Sequence, residues 1–128
     1  MNLTTPLNRV LGLGAAKSGI GHWWTQRLSA AALVPLGLWF AISLLQFESL
    51  AYSAVVAWMR SPITAVLLLL TVLTAVYHSY LGVQVVVEDY VHGRGAKLLL
   101  LVTSAFAHFF LLIAGLFAVL KVAFGALA

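Results

Sequence analysis

The sequence predicts an all-α membrane protein, a single domain over residues 1–128 with three transmembrane helices. Of its 128 residues, 63% are hydrophobic and only 8% are charged, and the mean hydropathy is +1.08. Soluble domains carry ~45–50% apolar and ~25% charged residues. A soluble chain of this size could not bury so much apolar surface. In addition, three stretches are long enough to cross ~30 Å of hydrocarbon, which takes about 20 helical residues.

The three spans are predicted at residues 28–47, 63–87 and 97–120. Pro35 falls inside the first span and should kink it, as membrane helices often tolerate. Before the second span, Ser61 is a candidate N-cap, and Pro62 suits the first helical turn. The breaker Gly93-Arg94-Gly95 separates the second span from the third. The connections are therefore expected to be short loops between three helices of one bundle.

Basic residues beside the spans predict the orientation. Five of them share one side of the membrane, namely Arg9, Lys17, Arg27, Arg94 and Lys97. Arg60 and Lys121 lie on the other side. The positive-inside rule therefore predicts the N-terminus inside and the C-terminus outside. Aromatic belts are expected to contain Trp23, Trp24 and Tyr90 on the inner side and Tyr52 and Trp58 on the outer side.

Composition also excludes several functions. The formal charge is +4 and the pI is near 9.9, but seven basic residues spread over the chain form no patch for nucleic acid. The chain has no cysteine, and it therefore holds no disulfide, thiolate zinc site or thiolate-bound iron–sulfur cluster. The basic start is followed by Gly-rich polar sequence, so we expect no cleavable leader. Chemistry must then come from the few polar groups in or beside the bilayer.

His78 is the first candidate, because it lies well inside the second span. Asp89 follows eleven residues later, a helical distance of ~16.5 Å, which puts His78 near mid-membrane if Asp89 marks the interface. A helical stripe joins Thr71, Thr74, His78, Gly82, Val85 and Asp89. The imidazole is a potential axial ligand for haem iron, and Gly82 leaves room for a porphyrin. Alternatively, His78 only forms a hydrogen bond between helices.

The run Glu88-Asp89-Tyr90 is the second candidate. It places two acids at the negative end of a helix, where the macrodipole favours cations. Such a broken local rule can mark a functional site. Tyr90 offers a hydrogen-bond donor at the depth of a quinone headgroup, and Asp89 could orient it, pair with Arg27 or take up protons. The alternative is a solvated loop with an interfacial tyrosine anchor.

Arg27 and His108 complete the set of candidates. Arg27 lies where it could hold an anion, such as a haem propionate or a lipid phosphate, or serve only as an orientation signal. His108 lies in the third span at a depth similar to that of His78. It is either a second ligand to the same haem or a hydrogen-bonding group. His92 is expected to be solvated in a loop.

The segment from His78 to Tyr90 resembles a known family. Its pattern is a histidine, a glycine four residues later and an Asp-Tyr pair at eleven and twelve, here His78, Gly82, Asp89 and Tyr90. This pattern resembles that of the hydrophobic, cytochrome b-type membrane anchors of succinate dehydrogenase, respiratory complex II. The string Gly-His-Trp-Trp-Thr-Gln-Arg, which ends at Arg27, also looks like bacterial anchors of this family.

The resemblance implies a subunit that is not catalytic alone and whose helices are part of a heteromeric helix bundle. The implied partners are a flavoprotein that oxidises succinate, an iron–sulfur subunit and a second membrane anchor of the cytochrome b556 type. His78 would be one axial ligand of haem b, with the other from the second anchor. Tyr90 would hydrogen-bond ubiquinone, and Asp89 would join that network. Arg27 matches the family only loosely, as a tentative haem-propionate or quinone contact.

Other functions stay open at this point. The chain could be a cofactor-free membrane interaction or assembly subunit, with its histidines serving helix packing. It could also be the anchor of a related fumarate reductase. A small transporter is disfavoured because no carboxylate lies within the spans. The expected location is a multi-pass position in the lipid of a bacterial inner membrane rather than a mitochondrial one.

Overall fold

The computed structural model describes residues 19–125, which form four α-helices and no strand in that range. Their bounds are Gly19–Leu45 (α1), Tyr52–Arg60 (α2), Pro62–Tyr90 (α3) and Arg94–Phe124 (α4). Three of the four are long and apolar enough to cross a membrane: α1, α3 and α4. The predicted all-α architecture with three spans is confirmed. Arg9 and Lys17, which contributed to the predicted orientation, lie outside the described residues.

Helices α1 and α3 pack side by side in opposite directions. Ser29 on α1 meets His78 on α3, with 3.0 Å between the hydroxyl oxygen and Nδ1. Gly82 lies four residues after His78 on α3, and Gln26 lies three residues before Ser29 on α1. A Cβ added to Gly82 would be 3.6 Å from the side-chain amide nitrogen of Gln26. Because positions increase on one helix as they decrease on the other, the pair is antiparallel.

Helices α3 and α4 are also antiparallel, and a small residue brings them close together. The ring of His108 on α4 reaches Ser79 on α3, and further along Gly115 lies against Val72. A Cβ on Gly115 would approach Cγ1 of Val72 to 2.7 Å, closer than two carbon atoms can pack. Small residues allow this approach where lipid gives helices little hydrophobic reason to associate.

The start of the first helix differs from the prediction. The structure begins α1 at Gly19, nine residues before the predicted start of the span at residue 28, and ends it at Leu45. The additional turns contain Trp, Gln and Arg, and helices accommodate all three. The predicted breaker before the third span is likewise wrong in part. Gly93 is the N-cap of α4, but Gly95 lies inside its first turn.

The connection between the first two spans contains a helix where a short loop was expected. Helix α2 spans nine residues and buries Val56 within the chain. Its Trp58 ring stacks on Trp39 of α1, with 5.9 Å between centroids, and lies edge-on to Phe47 at 5.5 Å. Phe40 completes this aromatic cluster at 6.3 Å from Trp58. Aromatic packing therefore holds α2 against the end of α1.

Two basic side chains donate hydrogen bonds to backbone carbonyls at the C-terminal ends of helices. Lys97 at the start of α4 donates from Nζ to the backbone oxygen of Glu88, 2.7 Å away, in the last turn of α3. Arg60 donates from Nε to the carbonyl of Val122 at 3.4 Å and from Nη2 to that of Gly125, at the end of α4. Both cations therefore lie at the negative end of a helix dipole. Lys97 compensates for the acids that end α3.

The alternation of the helices places the basic residues in the predicted groups. Arg27, Arg94 and Lys97 lie at one end of the bundle, called here the inner end, together with Tyr90. Arg60 lies at the opposite end. The orientation of these ends relative to the membrane stays a prediction of the positive-inside rule.

The chain buries very little of its own surface. In the most apolar 18-residue windows of α1, α3 and α4, only 6%, 11% and 0% of the residues are buried. None of the described side chains is fully enclosed. Such faces are stable only against lipid or against other helices, so the described part of the chain is suited to a larger bundle.

We expect Gly115→Ala to lower the thermal unfolding midpoint of the detergent-solubilised protein, because the new methyl overlaps Val72. Overpacking of this kind typically costs about 1–3 kcal/mol. Combining it with Val72→Ala should recover part of that loss. The control is Gly37→Ala, whose added Cβ meets nothing within 4 Å. Strictly additive effects of the two changes, measured in a double-mutant cycle, would contradict the assigned contact.

Candidate functional site

His78 lies on α3 twelve residues before the helix ends, a distance of ~18 Å along the axis. His78 therefore lies near the middle of α3. Its ring is partly buried, and Nδ1 lies 3.0 Å from the hydroxyl oxygen of Ser29. The hydrogen bonds of the described residues leave Nε2 without a partner. The imidazole is thus held at one nitrogen, and its other nitrogen is available.

An open groove of about 380 Å³ lies beside this ring, between α1 and α3. Its lining includes His22, Trp23, Gln26, Arg27, His78 and Val85. Two of its polar atoms, Nε2 of His22 and Oε1 of Gln26, are buried and have no hydrogen-bond partner in the described part of the chain. Buried polar groups are rarely left unpaired in native proteins. The polar partners of these two atoms therefore lie outside the described residues.

The early start of α1 creates this arrangement. His22, Gln26 and Ser29 are spaced four and three residues apart, so they share one face of the helix, and that face meets α3. Gln26 and Ser29 were not among the predicted site residues. Gln26 lies before the predicted start of the first span at residue 28, and Ser29 gains its role only from its contact with His78. The spacing itself was the available signal, provided that the helix was continued back to Gly19.

His108 has a different environment. Its Nδ1 lies 2.8 Å from the backbone oxygen of Ser104, and its Nε2 lies 3.2 Å from the hydroxyl of Ser79 on α3. The ring of Tyr80 meets it edge-on at 5.6 Å. Both nitrogens are therefore used within the chain. The structure does not bring His108 and His78 together on one groove, which leaves the hydrogen-bonding interpretation for His108.

A second groove, of about 600 Å³, lies between α1 and α4 with α3 as its floor. It is almost entirely apolar, and the two flanking helices do not approach each other closely in the described residues. Ser29 lines this groove while its partner His78 lines the first one. The pair of side chains therefore stands between the two grooves.

Asp89 and Tyr90 occupy the end of α3, as predicted. Both are exposed, and Tyr90 keeps 77% of its surface accessible. Just before them, Glu88 accepts a hydrogen bond from Gln84 at 3.0 Å. The phenol of Tyr90 and the carboxylate of Asp89 are thus open to a molecule or chain that docks at the inner end. His92 is exposed in the following connection, as expected.

Arg27 lies at the inner end of the groove beside His78. Its guanidinium carbon is 4.3 Å from the centroid of the Trp23 ring, a cation–π contact. Trp23 also meets Trp24 edge-on at 5.1 Å. The stacking holds the guanidinium at the mouth of the groove, where it could meet an anionic group.

The histidine and acidic side chains form no cluster of three that would hold a bare metal ion between Gly19 and Gly125. Iron held in a porphyrin needs only an axial nitrogen from the protein. His78 offers such a nitrogen on a groove that also contains two unpaired polar atoms. The residues present therefore fit one side of a haem pocket whose other side is open.

Comparison with known proteins gives the family of the chain. Residues 1–114 match a family model described as the succinate dehydrogenase/fumarate reductase transmembrane subunit. The chain is 40% identical over 78 residues to the succinate dehydrogenase hydrophobic membrane anchor subunit of Rickettsia bellii, covering 61% of this chain and 62% of that protein. It is 27% identical over 127 residues to the protein of the same name from Paracoccus denitrificans. This match covers 99% of this chain and 98% of that protein.

The matched region thus spans about three fifths of the Rickettsia bellii relative and nearly all of the Paracoccus one. The family model covers most of this chain, including all of α1, α2 and α3. The chain therefore belongs to the family of succinate dehydrogenase and fumarate reductase transmembrane subunits.

Proposed function

We propose that the chain is a membrane anchor of succinate dehydrogenase in a bacterial inner membrane. Its relatives in Rickettsia and Paracoccus carry that name. In such a complex, a flavoprotein would oxidise succinate to fumarate, releasing two electrons and two protons. An iron–sulfur subunit would pass the electrons to ubiquinone, which takes up two protons to become ubiquinol. This chain and a second anchor would hold the membrane site.

His78 is proposed as one axial ligand of haem b. The single observation that carries this role is the ring held at Nδ1 by Ser29, with Nε2 unused, beside a groove that contains unpaired polar atoms. A bound haem b would supply one-electron redox chemistry there. The chain's own contribution is to orient the ligand and to present Arg27 to an anionic edge such as a propionate. The second anchor would supply the other wall and ligand.

Tyr90 and Asp89 are proposed to bind the quinone headgroup at the inner end. A phenol donates a hydrogen bond to a quinone carbonyl and so favours the electron-rich reduced forms. Asp89 would accept or relay a proton beside it, because its carboxylate lies one residue away and faces outside the chain. The exposure of both residues supports this role, since the remaining wall would come from the partner subunits.

A cofactor-free packing subunit is the second candidate. One observation favours it: the bond between Ser29 and His78 joins two helices, as a purely structural histidine would. The family also includes fumarate reductase subunits, which use the same chemistry in the opposite direction. The unpaired polar atoms beside His78 favour a bound group over simple packing.

In the intact complex, His78→Ala should remove the b-type haem band from the reduced-minus-oxidised absorption spectrum. The flavin and iron–sulfur contents should be retained. The matched control is His108→Ala, which removes a mid-membrane histidine whose two nitrogens are already used inside the chain. This control should keep its haem. A full haem band in His78→Ala, measured per flavin, would favour the packing subunit.

Tyr90→Phe should keep the haem and lower quinone reduction by succinate by about tenfold, the factor that loss of one hydrogen bond worth ~1.4 kcal/mol produces. Succinate oxidation with a soluble artificial acceptor should be unchanged. Tyr52→Phe is the control, because Tyr52 is equally exposed, at 77%, but lies on the outer helix α2. Equal quinone turnover in the two variants would argue against the assigned contact.

A further inference from the structure

Ser29 is one of two buried polar residues in the described part of the chain, with 7% of its surface exposed. Its hydroxyl makes two contacts at the same distance. The oxygen lies 3.0 Å from the backbone carbonyl of Gln26, three residues earlier on α1. It also lies 3.0 Å from Nδ1 of His78 on α3.

The proton count of these contacts fixes the form of the imidazole. A serine hydroxyl carries one proton, and a backbone carbonyl only accepts hydrogen bonds. For both contacts to be hydrogen bonds, the Ser29 proton must therefore go to the oxygen of Gln26. The bond to His78 then requires the proton to be on Nδ1, so that the ring donates and the hydroxyl oxygen accepts. A neutral ring protonated at Nδ1 has its lone pair on Nε2.

His108 provides an internal comparison. The backbone oxygen of Ser104 also only accepts, so Nδ1 of His108 carries the proton as well. Its Nε2 lone pair, however, lies 3.2 Å from the hydroxyl of Ser79, which can donate to it. The two histidines thus have the same tautomer but differ in whether Nε2 has a hydrogen-bond partner. Of these two rings, only His78 has an Nε2 without a partner among the described contacts.

We propose that Ser29 is a positioning residue for the haem ligand: it fixes the Nδ1-protonated tautomer of His78 and accepts its hydrogen bond. The proposal rests on the proposed role of His78. Acceptors of this kind orient a ligating imidazole and raise its basicity. A more basic ligand favours ferric over ferrous iron. Loss of the acceptor should therefore raise the midpoint potential of the haem.

The test compares four variants in the purified complex by redox titration of the haem absorption band and by electron paramagnetic resonance of the ferric form. Ser29→Ala should shift the ferric–ferrous equilibrium by about tenfold toward ferrous iron, which is ~59 mV for one electron. Ser29→Thr keeps the hydroxyl, whereas Ser29→Val has nearly the same shape as threonine without it. The fourth variant, Ser104→Ala, removes a hydroxyl beside His108 and keeps its backbone partner.

We expect Ser29→Val to shift the potential as Ser29→Ala does, with altered ferric g-values, while Ser29→Thr and Ser104→Ala stay close to the unchanged protein. Equal haem midpoint potentials in Ser29→Thr and Ser29→Val would overturn the proposal, because only threonine keeps a hydroxyl oxygen that can accept the hydrogen bond from His78. An unshifted potential in Ser29→Ala, in a complex that loses its haem with His78→Ala, would overturn it while the proposed function stands. If the purified complex without any substitution contains no haem, both the role of Ser29 and the proposed role of His78 as a haem ligand would be overturned.

Discussion

A polar side chain in hydrocarbon must find its hydrogen-bond partner inside the protein, and this constraint organises the bundle. Ser29 and His78 join α1 to α3, and Ser79 and His108 join α3 to α4. Both bonds lie within the membrane-spanning helices. The small residue Gly115 then lets α4 approach α3 closely. Polar pairs and small residues thus set the antiparallel arrangement that lipid alone would leave free.

The same constraint shows where the described residues lack polar partners. His22 and Gln26 have buried atoms that find no partner within the described residues, and both line the groove beside His78. Few residues in the most apolar windows of the membrane-spanning helices are buried within the chain. The proposed second anchor would cover such a face and could bring polar groups to the groove.

Hydropathy predicted the three spans because the membrane fixes helix length, although α3 continues three residues beyond its predicted end at residue 87. The start of α1 and the presence of α2 could not be predicted in the same way. Residues 19–27 are too polar for a hydropathy window, and α2 depends on Trp58 packing against α1. The sequence around Ser29 does not indicate its role, because that role depends on a contact 49 residues away.

The most direct test is a reduced-minus-oxidised absorption spectrum of the gently solubilised complex, purified through this chain. A b-type haem band that accompanies a flavoprotein and an iron–sulfur subunit is the expected result. It would agree with a histidine whose Nε2 faces a shared pocket. A complex that retains both partners but shows no haem band would contradict the central claim, and His78 would then be only a link between helices.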